Sequence, residues 1–309
     1  MEYTDNFWNE LCKKYLQEGI SLTKLAKEYN IDRRTLSKRF KEIGIDVINN
    51  HNIVKFDENV FDNIDLEEKA YWLGFIFADG YISNKNAKYK NVFEMSLKLS
   101  DIDHLIKFNS FMKHNSSHIK CDNHRCRWCI MNKHLWETLN NYGCVPNKSL
   151  ILKFPELTIF KNVALTKHFI RGYFDGDGCI SFHKHKHVVS PHVSVLGTYE
   201  FLEKIIDVSK IPAVFKHDKR HNSKTFLLEY TKENGIKMIN WLYSDSTIYL
   251  NRKYQRYNFF KNGSRSLQEW YEWLSTKNGE LCDENTVVIE DSNEFSTPYS
   301  VETETNLLE

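Results

Sequence analysis

The apolar positions of this chain change period along its length, and two stretches stand apart from the rest. Tyr71–Gly80 reads YWLGFIFADG and Phe169–Gly178 reads FIRGYFDGDG. Set 98 positions apart, they fall in register: Asp79 on Asp177, Gly74 on Gly172, Ala78 on Gly176 and Gly80 on Gly178. Each reads as a short apolar helix that stops at an acid and a glycine. Gly74 with Ala78, and Gly172 with Gly176, are four residues apart and share one helix face. Glycine weakens a helix, and close approach of a second backbone is a reason to keep it there. The simplest partner for either helix is the other.

Past Gly80 the period falls to two. In Asn91–Ser100, Phe93, Met95, Leu97 and Leu99 alternate with Glu94, Ser96, Lys98 and Ser100, the pattern of a half-buried strand. A helix is expected over Ile102–Met112, strands near His118–Asp122 and Arg125–Met131, and a helix over Lys133–Tyr142. The second half repeats the plan. Strands are expected near Cys179–His183 and His192–Leu196, a helix at Glu200–Val208, strands at Ala213–Lys219 and Thr225–Tyr230, and a helix at Gly235–Tyr243. Tightly joined strand pairs imply antiparallel sheets with the helices on one side.

The start of the chain is helical. A first helix is expected at Asn6–Glu18. Ser21 caps a second, Leu22–Tyr29, and Asp32 caps a third, Arg33–Ile43, with Leu36, Phe40 and Ile43 inward. Arg33, Arg34, Ser37, Lys38 and Lys41 fall on the outer face of the third helix. Helix, short turn, basic helix is the helix-turn-helix plan, whose second member enters the major groove of DNA. The rival reading is a three-helix interaction unit with a solvated basic face.

The expected fold class is therefore α+β: two pseudo-symmetric αββαββα repeats forming antiparallel saddle sheets, preceded by a small all-α helix-turn-helix domain. The expected boundaries are 1–48 for the helical domain, 49–66 for a linker, 67–160 and 161–261 for the repeats, and 262–309 for a short helix at Ser266–Leu274 and an acidic, disordered tail.

Charge sharpens this picture. The 309 residues carry a net charge of +1, yet residues 276–309 hold nine acids and only Lys277 as a base, leaving 41 basic against 32 acidic residues in 1–275. A basic body fits a polyanionic partner. No apolar run is long enough to span a membrane, and Asp5, Asn6, Glu10 and Lys13 interrupt any secretory signal. Seven cysteines without a regular framework point to a reducing intracellular compartment, cytoplasmic or nucleoid-associated. On the polar sheet faces the pattern places Lys98, Arg125, Arg127, His192, Ser194 and Lys216, with Lys85, Lys88, Lys90, Lys184, Lys186 and Arg220 in the loops. Two such faces form a saddle that can contact phosphates and base edges of double-stranded DNA.

The acids are the chemical candidates. Asp79 and Asp177 close their helices at the end that carries partial negative charge, an unfavourable place for a carboxylate. If the helices pack in parallel, both acids meet at one end, where they must share a proton or a cation. Mg²⁺ suits such an oxygen site, with Mn²⁺ as a substitute. Gly80 and Gly178, next in the chain, complete the expected metal site.

The paired motifs resemble those of the LAGLIDADG homing endonucleases in their single-chain, two-motif form. The family's acid falls on Asp79 and Asp177, and its first glycine on Gly74 and Gly172. SLTKLAKEYNIDRRTLSKRFKEIGI resembles the helix-turn-helix of resolvase-type and related domains. The family resemblance implies a monomer with internal pseudo-twofold symmetry, Mg²⁺-dependent staggered cleavage of a long DNA site, and mobilisation of an intron-type insertion. It also implies a catalytic role for Lys148 and Lys253, each twelve residues after a tryptophan, Trp136 and Trp241. Departures are Phe77 where an acid often stands, Arg171 before the second glycine, and the added N-terminal helices. A DNA-binding regulator that has lost the chemistry, and an intron RNA maturase, are the rival functions. No splicing block with Cys or Ser opens the chain, so an intein is not expected.

Two clusters invite a metal and are set aside. His118, Cys121, His124, Cys126 and Cys129 lack paired zinc-ligand spacing, and Cys126 and Cys129 fall on opposite faces of the expected strand. His183, His185 and His187 alternate with Lys184 and Lys186 and read as a polar loop near DNA.

Overall fold

The structure, a computed structural model, describes residues 4–16, 18, 20–45, 56–114, 119–218, 225–276 and 288–290. The chain divides into two compact units, residues 1–58 with 106–119 and residues 59–105 with 120–309.

In the first unit, α1 (Asp5–Leu16), α2 (Leu22–Glu28) and α3 (Arg33–Glu42) close on Leu11, Leu22, Leu25, Ile31, Leu36 and Phe40. Ser21 accepts from the Lys24 amide at 3.2 Å, and Asp32 accepts from the Arg34 amide at 2.8 Å, so both expected caps form. Between α2 and α3 the chain turns through Asn30, at φ 51°. Arg33, Arg34, Lys38 and Lys41 are exposed and Ser37 is half-buried. Ile43, expected inward, is 42% exposed. The helix stops at Glu42, so Ile43 falls off its apolar stripe and Ile45 packs against the core instead.

The second unit is built on α4 (Glu67–Asp79) and α7 (Leu165–Asp177), which lie in parallel. A Cβ on Gly74 would strike the Phe169 carbonyl and come within 2.9 Å of the Tyr173 amide. A Cβ on Gly172 would strike the Tyr71 carbonyl and come within 2.9 Å of the Phe75 amide. The two sets of contacts are related by the same 98-residue offset as the motifs. Backbone thus touches backbone at two symmetric points, a separation that only glycine permits.

From the end of each helix the chain runs straight into a sheet. After α4 come β1 (Gly80–Ile82), β2 (Val92–Lys98), α5 (Ile102–Phe111), β3 (Ile119–Cys121), β4 (Arg125–Met131) and α6 (Lys133–Asn141). After α7 come β5 (Gly178–His185), β6 (Val188–Gly197), α8 (Tyr199–Ser209), β7 (Val214–His217), β8 (Phe226–Thr231) and α9 (Lys232–Tyr243). The strand order β1-β2-β4-β3 reappears as β5-β6-β8-β7. Both repeats are therefore αββαββα, and the class is α+β as expected. The inner faces bury Phe93, Met95, Cys126 and Trp128 in one sheet and Ile180, Phe182, Val193, Val195, Leu228 and Tyr230 in the other.

Several elements depart from expectation. The segment expected as a linker packs at its end: Val60, Phe61 and Ile64 are buried, and Ile64 bridges Phe160. A helix that apolar periodicity does not announce, α10 (Asn251–Phe260), follows α9. Its buried face is Lys253, Arg256, Tyr257 and Phe260, a helical spacing disguised by two cations. Beyond it, β9 (Arg265–Ser266) pairs with β6, and α11 (Leu267–Ser275) sets Trp270 on Phe182 with ring centres 4.0 Å apart. In the segment expected to be disordered, β10 (Val288–Glu290) pairs in parallel with β5. The expected residues His118 and Arg220 lie outside the described residues.

The helix contact generates a prediction with a diagnostic sign. Glycine to alanine within a helix ordinarily stabilises by up to about 1 kcal/mol. Gly74→Ala and Gly172→Ala should instead destabilise by about 1–3 kcal/mol, because each methyl must push a backbone away. Urea denaturation of the two variants against the wild type checks this, and unchanged or raised midpoints would contradict the packing.

Candidate active site at the paired helix ends

The parallel packing of α4 and α7 brings Asp79 and Asp177 together, each half-buried. At Gly176 an added Cβ would strike the Ala78 methyl and lie 3.1 Å from Asp79 Oδ2, so the helix ends are pressed tightly around the acids. Burial, and then the Asp177 carboxylate, push Asp79 up to about 7. Burial likewise raises Asp177.

Both expected lysines arrive here. The Lys148 ammonium donates to the Gly80 carbonyl at the end of α4. The Lys253 ammonium donates to the carbonyls of Phe174 at 2.5 Å, Asp175 at 2.8 Å and Gly178 at 2.5 Å, at the end of α7. Each lysine thus satisfies carbonyls that a helix end leaves without partners, and each places a cation where the helix is negative. The charges act crosswise. Among the cations that lower Asp79, Lys253 acts most strongly, and for Asp177 it is Lys148. The two are not equal. Lys253 is buried, and burial followed by the neighbouring Arg252 holds it down to about 8. All three of its N–H groups go to carbonyl oxygens. It is therefore a fixed cation under the site, whereas Lys148 is only half-buried. The Gly80 and Gly178 carbonyls, expected at a metal, each accept from a lysine.

Two charged residues inside α7 have no counterpart in α4, where Leu73 and Phe77 stand at the matching positions. Arg171 is fully buried. It pairs with Glu67 at 2.6 Å and donates to the Ile248 carbonyl at 3.1 Å. Glu67 in turn accepts from the Thr247 amide at 2.8 Å. Asp175, also buried, accepts from the hydroxyls of Tyr71 at 2.7 Å and Tyr243 at 2.5 Å and from the Leu250 amide at 2.8 Å. Burial and the Asp175 carboxylate hold both tyrosines well above the usual phenol range. Sequence reasoning marked Arg171 as a departure and passed over Asp175. Its partners, such as Tyr71, lie too far away in sequence to be read.

On the outer sheet faces the residues divide. Lys98, Arg125 and Arg127 are exposed on the first sheet, with Arg127 3.7 Å from Glu94, and Lys85 stands exposed in its loop. On the second sheet Lys186 is exposed and Lys184 half-buried. His192 and Ser194, expected on a solvated face, are 7% and 9% exposed. Residues on the flanking strands crowd them: His192 lies 3.0 Å from Ser181 Oγ and 3.5 Å from Glu229, Ser194 stands opposite Glu229 in the register, and Lys216 pairs with Glu229 at 2.5 Å. Burial holds the His192 imidazole below its usual range. Cys126 is buried and Cys129 is half-buried on the other face of β4.

No protein-family model matches the chain. Among curated proteins, it is 26% identical over 201 residues to the ribonucleoside-diphosphate reductase NrdEB subunit alpha of Bacillus subtilis (strain 168), and equally to that of Bacillus phage SPbeta. That match covers 61% of this chain and only 18% of each relative. Among solved structures, it is similar to the meganuclease I-SmaMI bound to uncleavable DNA, at 14% identity and a TM-score of 0.45, covering 68% of this chain and 96% of that one. It is also similar to the LAGLIDADG homing endonuclease I-GzeII in complex with its DNA target, at 15% identity and a TM-score of 0.42, covering 68% and 92%. I-SmaMI bound to uncleaved DNA with calcium ions gives a TM-score of 0.43 at 15% identity, covering 69% and 93%. Among the described residues, no helix is long and apolar enough to cross a membrane.

The raised acids make stability depend on pH with a definite sign. Asp79 unfolded titrates near 3.9, as other aspartates do. Folded, it holds its proton up to about 7. Between these values the folded state binds more protons than the unfolded state, so stability is present below about 4 and falls as pH rises towards 7. Urea midpoints in a chelator should therefore drop across this window. Asp79→Asn should flatten the drop.

Proposed function

We propose that this chain is a site-specific endonuclease that hydrolyses double-stranded DNA with a divalent cation. The observation that carries the reading is the pair of raised, half-buried carboxylates, Asp79 and Asp177, at the shared end of two symmetric helices. Nothing in the packing of an ordinary helix pair calls for two acids there, and the arrangement costs stability unless a cation joins them.

The residues fit Mg²⁺. Among the described residues no three His, Cys, Asp or Glu side chains converge as a metal cage. Mg²⁺ commonly takes one or two carboxylates and completes its shell with water and substrate phosphate oxygens, which is what two acids in an open site offer. Asp79 and Asp177 would hold it, and when bound it would supply water activation and charge stabilisation for phosphodiester hydrolysis. The chain supplies the rest. Lys148 and Lys253 fix the helix ends and offset the paired negative charge. Lys85, Lys98, Arg125 and Arg127 on one repeat and Lys184 and Lys186 on the other give phosphate contacts on either side of the site. Arg33, Arg34, Lys38 and Lys41 on α3 form a second basic surface, suited to a major groove. We do not propose reductase activity, because this chain spans 18% of the reductases it matches.

Two outcomes are expected on a plasmid carrying the joined flanks of the gene. Asp79→Asn and Asp177→Asn should each keep the fold, retain DNA binding in Ca²⁺, and lose Mg²⁺-dependent cleavage by at least about 100-fold, as great as the loss from an outer-shell change at a metal site. Cleavage at the wild-type rate by either variant would remove that acid from the mechanism. Separately, the combined change Arg33→Ala, Arg34→Ala and Lys38→Ala should weaken binding and lower the salt slope by about 0.9 for each phosphate no longer neutralised, with the cut position unchanged. Filter binding across a salt series measures both.

A further inference from the structure

We infer that Asp175 is a positioning residue that serves one half of the site only, by holding the start of α10 against α7 so that Lys253 stays beneath the paired acids. This rests on the endonuclease reading above.

The geometry is a chain of short links. Asp175 Oδ2 accepts from the Leu250 amide at 2.8 Å, and Leu250 is the residue that caps α10. The Leu250 carbonyl accepts from the Lys253 amide at 3.1 Å, which places Lys253 in the first turn of that helix. The Lys253 ammonium then returns to the Phe174, Asp175 and Gly178 carbonyls of the helix-strand junction that carries Asp177. Asp175 is itself held from both sides, by Tyr71 of α4 at 2.7 Å and Tyr243 at the end of α9 at 2.5 Å. It is fully enclosed, so it touches no substrate. Arg171, one turn earlier on the same face, reinforces the hold through the Ile248 carbonyl and through Glu67, which takes the Thr247 amide.

Among its described residues, the first repeat shows none of this. Phe77 stands at the position of Asp175 and packs on Phe169 with ring centres 5.1 Å apart. Lys148 comes from a single 3₁₀ turn, Lys148–Leu150, entered through Asn147 at φ 56°. The two cations of a symmetric site are therefore carried by unlike supports. Removing the Asp175 support displaces the Lys253 half and leaves the Lys148 half in place, and displacement of a group near reacting atoms by about 1 Å can cost about 100-fold in rate.

The test follows single-turnover conversion of supercoiled to nicked to linear plasmid, using the full chain and the target defined by the cleavage experiment above. For Asp175→Asn, both motif acids remain, and Ca²⁺-supported DNA binding should stay near wild type. The first nick should proceed at close to the wild-type rate, and the second cut should slow by about tenfold or more, so that nicked plasmid accumulates with the break in one defined strand. Tyr243→Phe, which removes one of the three bonds with little change of shape, should show the same strand bias more weakly and covers the case in which Asp175→Asn folds poorly. Lys253→Met should nick the same strand, and its combination with Asp175→Asn should be no slower than Lys253→Met alone. Equal slowing of both strands, nicks in the opposite strand, or unchanged rates in Asp175→Asn and Tyr243→Phe would overturn the inference while the endonuclease reading stands. A wild-type protein that cuts neither strand would overturn both.

Discussion

The contact on which the rest depends is the meeting of two peptide backbones at Gly74 and Gly172. Each glycine admits the carbonyl of the other helix, and this brings the helix ends within reach of each other. The approach has two consequences at once. It joins the repeats through a shared core, and it forces two carboxylates into one partly enclosed space. A looser helix pair with larger side chains would be easier to build and would leave Asp79 and Asp177 apart. The chemistry proposed for the site is therefore a by-product of packing distance, and the lysines under it answer the charge problem that the packing creates.

How much of this the sequence discloses depends on the range over which each feature is encoded. The small-residue face and terminal acid of α4 and α7 lie within ten residues, and their repetition makes them plain. The strand β4 is legible because Cys126, Trp128 and Ile130 alternate with Arg125, Arg127 and Cys129. The helix α10 is hidden for a physical reason. Its buried stripe begins with Lys253 and Arg256, whose charges are met by carbonyls of α7 and β5 that no local pattern reveals. His192 and Ser194 misled in the opposite direction. Polar alternation in β6 does face outward, but His192 is engaged sideways by Ser181 and Glu229 on the flanking strands, and both His192 and Ser194 are buried. Periodicity gives the side of a sheet and is silent about what covers that side.

The pseudo-symmetry is close in backbone and loose in side chains. Strand order, helix order and the glycine contacts repeat, while the buried polar groups do not. Arg171 and Asp175 sit four residues apart on one face of α7, and Glu67 and Tyr71 sit four apart on the facing side of α4. Two apolar helices could slide along a stripe of small residues. These cross-links, with fixed partners and hydrogen bonds, select one register for the pair, a known use of buried polar groups in helical interfaces.

That one-sided lattice also determines which halves can associate. Were two copies of the second repeat to pair through their α7 helices, Leu165 would stand in each place that Glu67 holds, and Arg171 would face no carboxylate there. Two copies of the first repeat would set Leu73 and Phe77 where Arg171 and Asp175 stand, leaving Glu67 without its arginine and the Tyr71 hydroxyl without its carboxylate. Neither half would reproduce these links by pairing with itself. The two halves form a heterotypic pair within one polypeptide, in which the covalent link supplies the partner and the buried Arg171–Glu67 pair is a contact that a second copy of either half would not reproduce.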